Sequence, residues 1–439
     1  MLCGLLVAVL VLALVPVTAF AAGELWVNGQ NILAADSYTV QCGEGTAVYD
    51  PDNAILTLTN ATLNQANLQS RVIDVPSSIG KLTIRLVGDN TIETRFQAIM
   101  SFCPLTIDGQ GTLTITTERT SGLISIGDMV IDGATVTVTT TNDGAIQADG
   151  NLTLQNGATL KGTGSYYGVN AQQVSVTGKS TLTADATADY GNAVVSQNGI
   201  NIENSTFIGS SYYPALYSQG DISLTDATVT ATSTDDYGIW TPGSLRIAGD
   251  CQITANGGMW GATGTQVTAP ADGWVDVLLG DDAESAQPSS SSPIEPGQTV
   301  YFVGMENYFY AKVAPHTHEL THVPAVAPTP AKPGNIEYWY CEGCGKYFAD
   351  ADATQEITEA DTYLAPEGTA DIPGSNVGQV GGGDWDWPSG TGSSSGSTGS
   401  TSTDSGKDNP NTGDSLPVAG IVLLAAASAG GILLSKKRR

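Results

Sequence analysis

The sequence predicts an all-β chain whose body winds as a parallel β-helix of about nine coils, and three observations lead there. Aliphatic strand centres recur at Leu58, Ile84, Ile107, Ile131, Leu154, Val176, Ile202, Leu224 and Ile247, separated by 22 to 26 residues. Each centre lies in an alternating stretch such as "LTIDG" or "ISLTDA", followed by a turn signal and a second alternating stretch such as "TLTI", "TVTV" or "TFIG". A third short segment ("GAIQA", "GVNAQ", "NAVVS", "ALYSQ" or "GIWTP") precedes the next centre. Three strands in so short a unit are too few for a four-stranded propeller blade of ~40 residues, and the period is too regular for a sandwich.

A unit of this size cannot bury its apolar face alone. Coils stacked ~4.8 Å apart bury a continuous column of Ile, Leu and Val, with the alternating Thr side chains outside. Open solenoid ends expose strand edges. Residues 25–55, beginning "ELWVNGQNIL", are expected to cap one end and residues 262–313 the other, within a β-helix spanning 23–313.

Composition agrees. Thr, Gly, Ala, Val and Ile abound while Lys and Glu are scarce, which favours strands and tight turns over helices. Of 439 residues only 14% are charged, yet acids outnumber bases 44 to 16, giving a net charge of −28. Such a surface repels nucleic acid and gives anionic lipid no polybasic handle. A monomer is expected.

The N-terminal residues 1–22 contain the apolar run "LCGLLVAVLVLALVPVTAF" and end in small residues, as a signal peptide cleaved after Ala21 or Ala22 does. Export is therefore expected. Residues 283–297, "AESAQPSSSSPIEPG", read as a surface insertion or hinge. Residues 314–365 form a compact module, and residues 366–408 a flexible Gly/Ser/Thr linker. The stretch 416–434 is 19 residues long, mostly apolar and uncharged, close to the ~20 that span a bilayer, and is followed by "KKRR".

The order of pentapeptide, apolar span and basic tail over 409–439 resembles the cell-wall sorting signal of Gram-positive surface proteins. In that family a sortase cleaves Leu-Pro-x-Thr-Gly between Thr and Gly. Here Asn409, Pro410, Asn411, Thr412 and Gly413 match at Pro, Thr and Gly, with Asn in place of Leu. The resemblance implies a sortase partner, attachment to peptidoglycan through Thr412, and a membrane helix that serves only before sorting.

The repeat, together with "LWVNGQNI" and "VYDPDNAILTLTNATL", looks like the carbohydrate-binding β-helix proteins of Gram-positive bacteria, whose fold resembles that of pectate lyases. It implies a right-handed helix and an extracellular polysaccharide partner of the acidic plant type. Residues 316–350, with "CEGCGKYF", are similar to zinc-ribbon-like repeats of secreted bacterial proteins. His318, Cys341 and Cys344 match that pattern, whereas Pro330 stands where the middle cysteine would be. His316 is the expected fourth ligand of a structural zinc, ahead of His322. The alternative is a metal-free β unit held by Tyr338, Trp339, Tyr347 and Phe348. Cys42, Cys103 and Cys251 follow no disulfide pattern and are expected as buried thiols.

Tyr167, Tyr190, Tyr213, Tyr237 and Trp260 each precede Gly or Pro and lie 23, 23, 24 and 23 residues apart. In a stacked coil that spacing predicts a single file, continued below by Asp143 and Ser121. Two uses are open: an aromatic stack closing one corner of the core, or a platform for pyranose faces with Asp143, Asp189 and Asp236 binding hydroxyls. Asp185, Asp189, Asp235 and Asp236 on neighbouring turns are calcium candidates for a lyase. However, Lys161, Lys179 and Arg246 occupy other phases of the coil, and all three histidines lie in the C-terminal module. We therefore expect a binding protein rather than an enzyme, with a protein-binding adhesin and a Ca-dependent polysaccharide lyase as the alternatives.

Overall fold

The computed structural model describes residues 23–67 and 69–367. The expected signal peptide at 1–22, the expected linker beyond residue 367, Asn409–Gly413 and the apolar span 416–434 lie outside the described residues. Within them the chain is a β-solenoid of about nine turns. Each coil contributes a strand to each of three ladders, and neighbouring coils pair in parallel.

The first ladder runs from Ile55–Thr59 through Leu82–Val87 and Leu105–Gly109 to Gly264–Thr268. The second runs from Thr62–Leu63 to Gln252–Asn256. The third runs from Arg71–Val75 through Gln97–Ser101, Leu123–Ser125 and Ile146–Ala148 to Leu216–Ser218, Ile239–Thr241 and Met259–Gly261. In the long strands Tyr167–Val176 and Asn192–Glu203 the third ladder passes into the first, with a register irregularity between Ala171 and Gln173.

The core follows from the alternation. Ile84, Ile107, Ile131, Leu154, Val176, Ile202, Leu224, Ile247 and Val267 are successive rung partners in one buried column. Eight of the nine expected centres stand there. Leu58 does not: its partner is Leu86, and Leu56 pairs with Ile84. A shift of two residues keeps the same side chains inward, so alternation alone does not fix this register. In the second ladder Leu113 and Ile115 point inward while Thr114 and Thr116 face out.

Turn chemistry and one buried amide lock the coils together. Between the first and second ladders the backbone enters the left-handed region at Gly133, Asn156, Lys179, Asn204, Asp226 and Gly249. Gly, Asn and Asp tolerate that conformation best. The fully buried Asn90 accepts from the Ala61 main-chain N–H (2.9 Å) and donates to the Thr112 carbonyl (3.1 Å), bridging the coils below and above.

Antiparallel strands close both ends. Trp26–Val27 pairs with Arg71–Val75, and Gly45–Asp50 with Ile55–Thr59. At the other end Thr299–Phe302 covers Gly264–Thr268, and Tyr310–Pro315 lies between Gln252–Asn256 and Val275–Gly280. Cys42, Cys103 and Cys251 are free and buried, and desolvation holds their thiol pKa values up, that of Cys42 to about 11. No helix among the described residues is long and apolar enough to cross a membrane.

The described residues divide into two compact units, 23–322 with Trp339–Glu356, and Val323–Tyr338 with 357–367. The boundary drawn at residue 314 from the sequence thus falls inside the first unit. In the second, Gly334–Asn335 pairs antiparallel with Tyr363–Leu364, and Thr358 and Asp361 form a reciprocal capping box on the short turn Glu359–Thr362.

Replacing Asn90 by Leu keeps the branched shape and the heavy-atom count but strands main-chain groups of two neighbouring coils, each costing about 1–3 kcal/mol. We expect a clearly lowered urea midpoint by circular dichroism; an unchanged midpoint would mean that the amide does not hold the coils together.

Candidate functional site: an aromatic cleft and a histidine–cysteine cluster

The single aromatic file does not form. Third-ladder register is set by the inward column Val169, Val194, Leu216, Ile239 and Met259, whose members lie 25, 22, 23 and 20 residues apart. Tyr167 stands two residues before Val169, Tyr190 four before Val194, and Tyr213 three before Leu216. Tyr237 stands two before Ile239 and Trp260 one after Met259. Equal spacing in sequence therefore places the five rings at four different positions on the coil, because turn length varies from coil to coil.

The column that does form follows the third segments. Gln147, Asn170, Val195, Tyr217, Trp240 and Trp260 are consecutive rung partners on the outward face of the third ladder. Tyr217 and Trp240 were missed, although alternation within "ALYSQ" and "GIWTP" marks both as outward. Their rings stack with centroids 5.1 Å apart and planes 16° apart, so each covers a face of the other. The Trp260 ring tilts by 43° from Trp240 and by 39° from Tyr237, opening a wedge. Asn192, Tyr213, Pro214, Asp236 and Tyr237 complete a cleft of about 390 Å³ around these rings, near the small end of ligand clefts, about 300–1,000 Å³. Asp236 Oδ1 accepts from the Tyr237 main-chain N–H (2.8 Å), and the Tyr237 hydroxyl donates to the Glu306 carbonyl (3.3 Å). No Lys or Arg lines the cleft.

The other expected residues fall elsewhere. The Tyr167 ring occupies the space that a Cβ on Gly144 of the coil below would need, and its hydroxyl donates to Gln147 Oε1 (3.0 Å). Desolvation raises its pKa. Tyr167 is thus a packing residue. Asp143 beneath it accepts from the main-chain N–H groups of Ser121 (3.1 Å) and Gly144 (2.8 Å), so it shapes the turn. Tyr190 is 58% exposed and stacks on Tyr166 (5.6 Å), away from the cleft, with Asp189 beside it. Asp185 accepts from Ser210 Oγ (2.7 Å). Among the described residues Asp185, Asp189, Asp235 and Asp236 do not converge as a metal-binding group.

His316, His318, Cys341 and Cys344 do converge. Their ligand atoms all lie within 4.8 Å of one another. Cys341 Sγ is 3.6 Å from His316 Nε2, and Cys344 Sγ is 3.3 Å from His318 Nδ1. Tetrahedral bonds of about 2.3 Å to sulfur and 2.0–2.1 Å to nitrogen put such ligands about 3.5 Å apart, so the donor set fits zinc. Gly343 leaves room for His316: a Cβ there would press on its ring. Burial opposes ionisation of Cys341, but hydrogen bonds from the Cys344 backbone and His316 bring its pKa down to about 6. Pro330 takes no part, and His322 instead stacks on Trp339 at 4.9 Å.

A protein-family model described as "Carbohydrate-binding domain-containing protein" matches residues 32–173, less than half of the chain. No curated protein and no solved structure matches. The matched stretch covers the earlier coils and Tyr167, and stops short of the cleft.

Gly144→Ala should displace the Tyr167 ring at about 1–3 kcal/mol, the usual range for overpacking. We expect a lower melting temperature with unchanged tryptophan fluorescence from Trp240 and Trp260; an unaltered melt would contradict the packing role.

Proposed function

We propose that this chain is a non-catalytic, surface-displayed glycan-binding protein whose binding site is the cleft around Tyr217, Trp240, Trp260 and Tyr237. The observation that carries the proposal is the wedge left by the tilted Trp260 ring. Aromatic faces there are held apart and partly exposed, and such faces suit the apolar C–H faces of pyranoses, with Asp236 and Asn192 at hand for hydroxyls. The similarity of residues 32–173 to a carbohydrate-binding family supports the same class of ligand.

The charge balance favours an uncharged saccharide over the acidic plant polysaccharide first expected. Asp236 lines the cleft, no cation does, and the chain carries −28 overall, so a uronate would meet like charge. Lysis is disfavoured on similar grounds. Lys161 and Arg246 lie on the second and first ladders, and Arg246 is paired with Asp221 at 2.6 Å. Export by the N-terminal segment and sortase attachment at Thr412 belong to the proposal on sequence alone. The linker would hold the solenoid away from the wall, where display of many copies raises weak affinity. The histidine–cysteine cluster would hold a structural zinc, whose four protein ligands leave no open position for catalysis.

A glycan array probed with the full chain tests the reading. Neutral oligosaccharides should bind and polygalacturonate should not. Trp240→Ala and Trp260→Ala should each weaken binding at least about tenfold (~1.4 kcal/mol) with an unchanged circular dichroism spectrum. Binding that survives both substitutions would move the site off the cleft.

A further inference from the structure

The cap of the solenoid, and not the C-x-x-C segment alone, completes the histidine–cysteine cluster. His316 immediately follows the cap strand Tyr310–Pro315, and its main-chain N–H donates to the Trp274 carbonyl (2.8 Å). Its ring turns Nε2 toward Cys341 and Nδ1 toward the carboxylate of Asp276, both of whose oxygens lie at 2.9 Å. Asp276 belongs to the neighbouring cap strand Val275–Gly280. It is itself held by Ser292 Oγ, which donates to it (3.3 Å) and accepts from the Val277 main-chain N–H (3.0 Å). The His316 side chain is 7% exposed, so this orientation is enclosed. A second contact joins the same parts: Lys346 Nζ lies 5.5 Å from the centre of the Trp274 ring.

A carboxylate on the far nitrogen of a metal-binding imidazole fixes the tautomer and ring direction and raises ligand basicity. Resting on the zinc reading above, we propose that Asp276 is the positioning residue of this metal site, and that the ion clasps the Cys341–Cys344 loop to the solenoid's cap. The run Ser292, Asp276, His316, metal, Cys341 then crosses from the 283–297 insertion to the loop through hydrogen bonds and coordination. Its consequence is specific. Tyr310–Pro315 covers the edge of the second ladder's last parallel strand, Gln252–Asn256, so metal loss loosens the segment that keeps this edge closed.

The test uses the full chain with zinc, and with cobalt as a coloured substitute. The intact chain should bind one equivalent with the visible absorption of a tetrahedral thiolate site. Asp276→Asn should weaken affinity in chelator competition by about 10–100-fold, the usual effect of an outer-shell change. In the unmutated chain, chelation should speed amide exchange in 275–280 and 310–315 while leaving the first-ladder strands 105–109 and 129–132 unaffected. Failure to bind metal would sink the zinc reading itself. Stoichiometric binding with unchanged affinity in Asp276→Asn, or with unchanged cap exchange on chelation, would overturn the positioning and clasp proposals while leaving the metal in place. The exchange measurement needs no variant, so a misfolded Asp276→Asn does not blunt it.

Discussion

Backbone pairing between coils, fixed by the buried column from Ile84 to Val267, is the constraint on which the rest depends. Each inward aliphatic must rest on the one below, and the main-chain bonds of the rung align with it. Once that column is set, an outward side chain has no freedom of register. Its place is decided by how many residues separate it from the inward residue of its own rung. Asn90, bridging three coils, and the left-handed turn residues at the same corner between the first and second ladders serve the same end. They keep coils of unequal length in step.

This explains which parts were legible in the sequence. The three strands per coil and eight of the nine column members could be read, because alternation and turn residues are local signals that the stacked structure obeys. Leu58 was misplaced by two, since alternation is blind to even shifts. The aromatic file was misread for a different reason: Tyr-Gly spacing was counted along the chain, whereas position on the coil is counted from Val194, Leu216 or Ile239. Counted that way, "ALYSQ" and "GIWTP" place Tyr217 and Trp240 beneath Trp260. His316 as partner to His318, Cys341 and Cys344 was readable from residue type and spacing. Asp276 was not, because nothing local to "WVDV" points forty residues onward.

The cleft and the cluster use aromatic and polar groups in opposite ways. Around Trp260 the rings are tilted apart, leaving apolar surface beside one carboxylate. Around His316 the polar atoms close on one another, with Phe348 packed against His318 at 4.7 Å. The first arrangement leaves aromatic surface open, and the second consumes its polar groups within the fold. Tyr167 over Gly144 belongs with the second kind, although its sequence context matches that of Tyr237.

The unequal coil lengths have a consequence for how such a chain can change. Twenty residues separate Ile239 from Met259, against twenty-five between Val169 and Val194. An insertion or deletion in the loop entering the third ladder slides that loop's side chains sideways onto a different track, while the interior stays untouched. Lineages of such proteins can therefore repattern their outer face by gaining or losing single codons, a route to new ligand preference that leaves folding undisturbed.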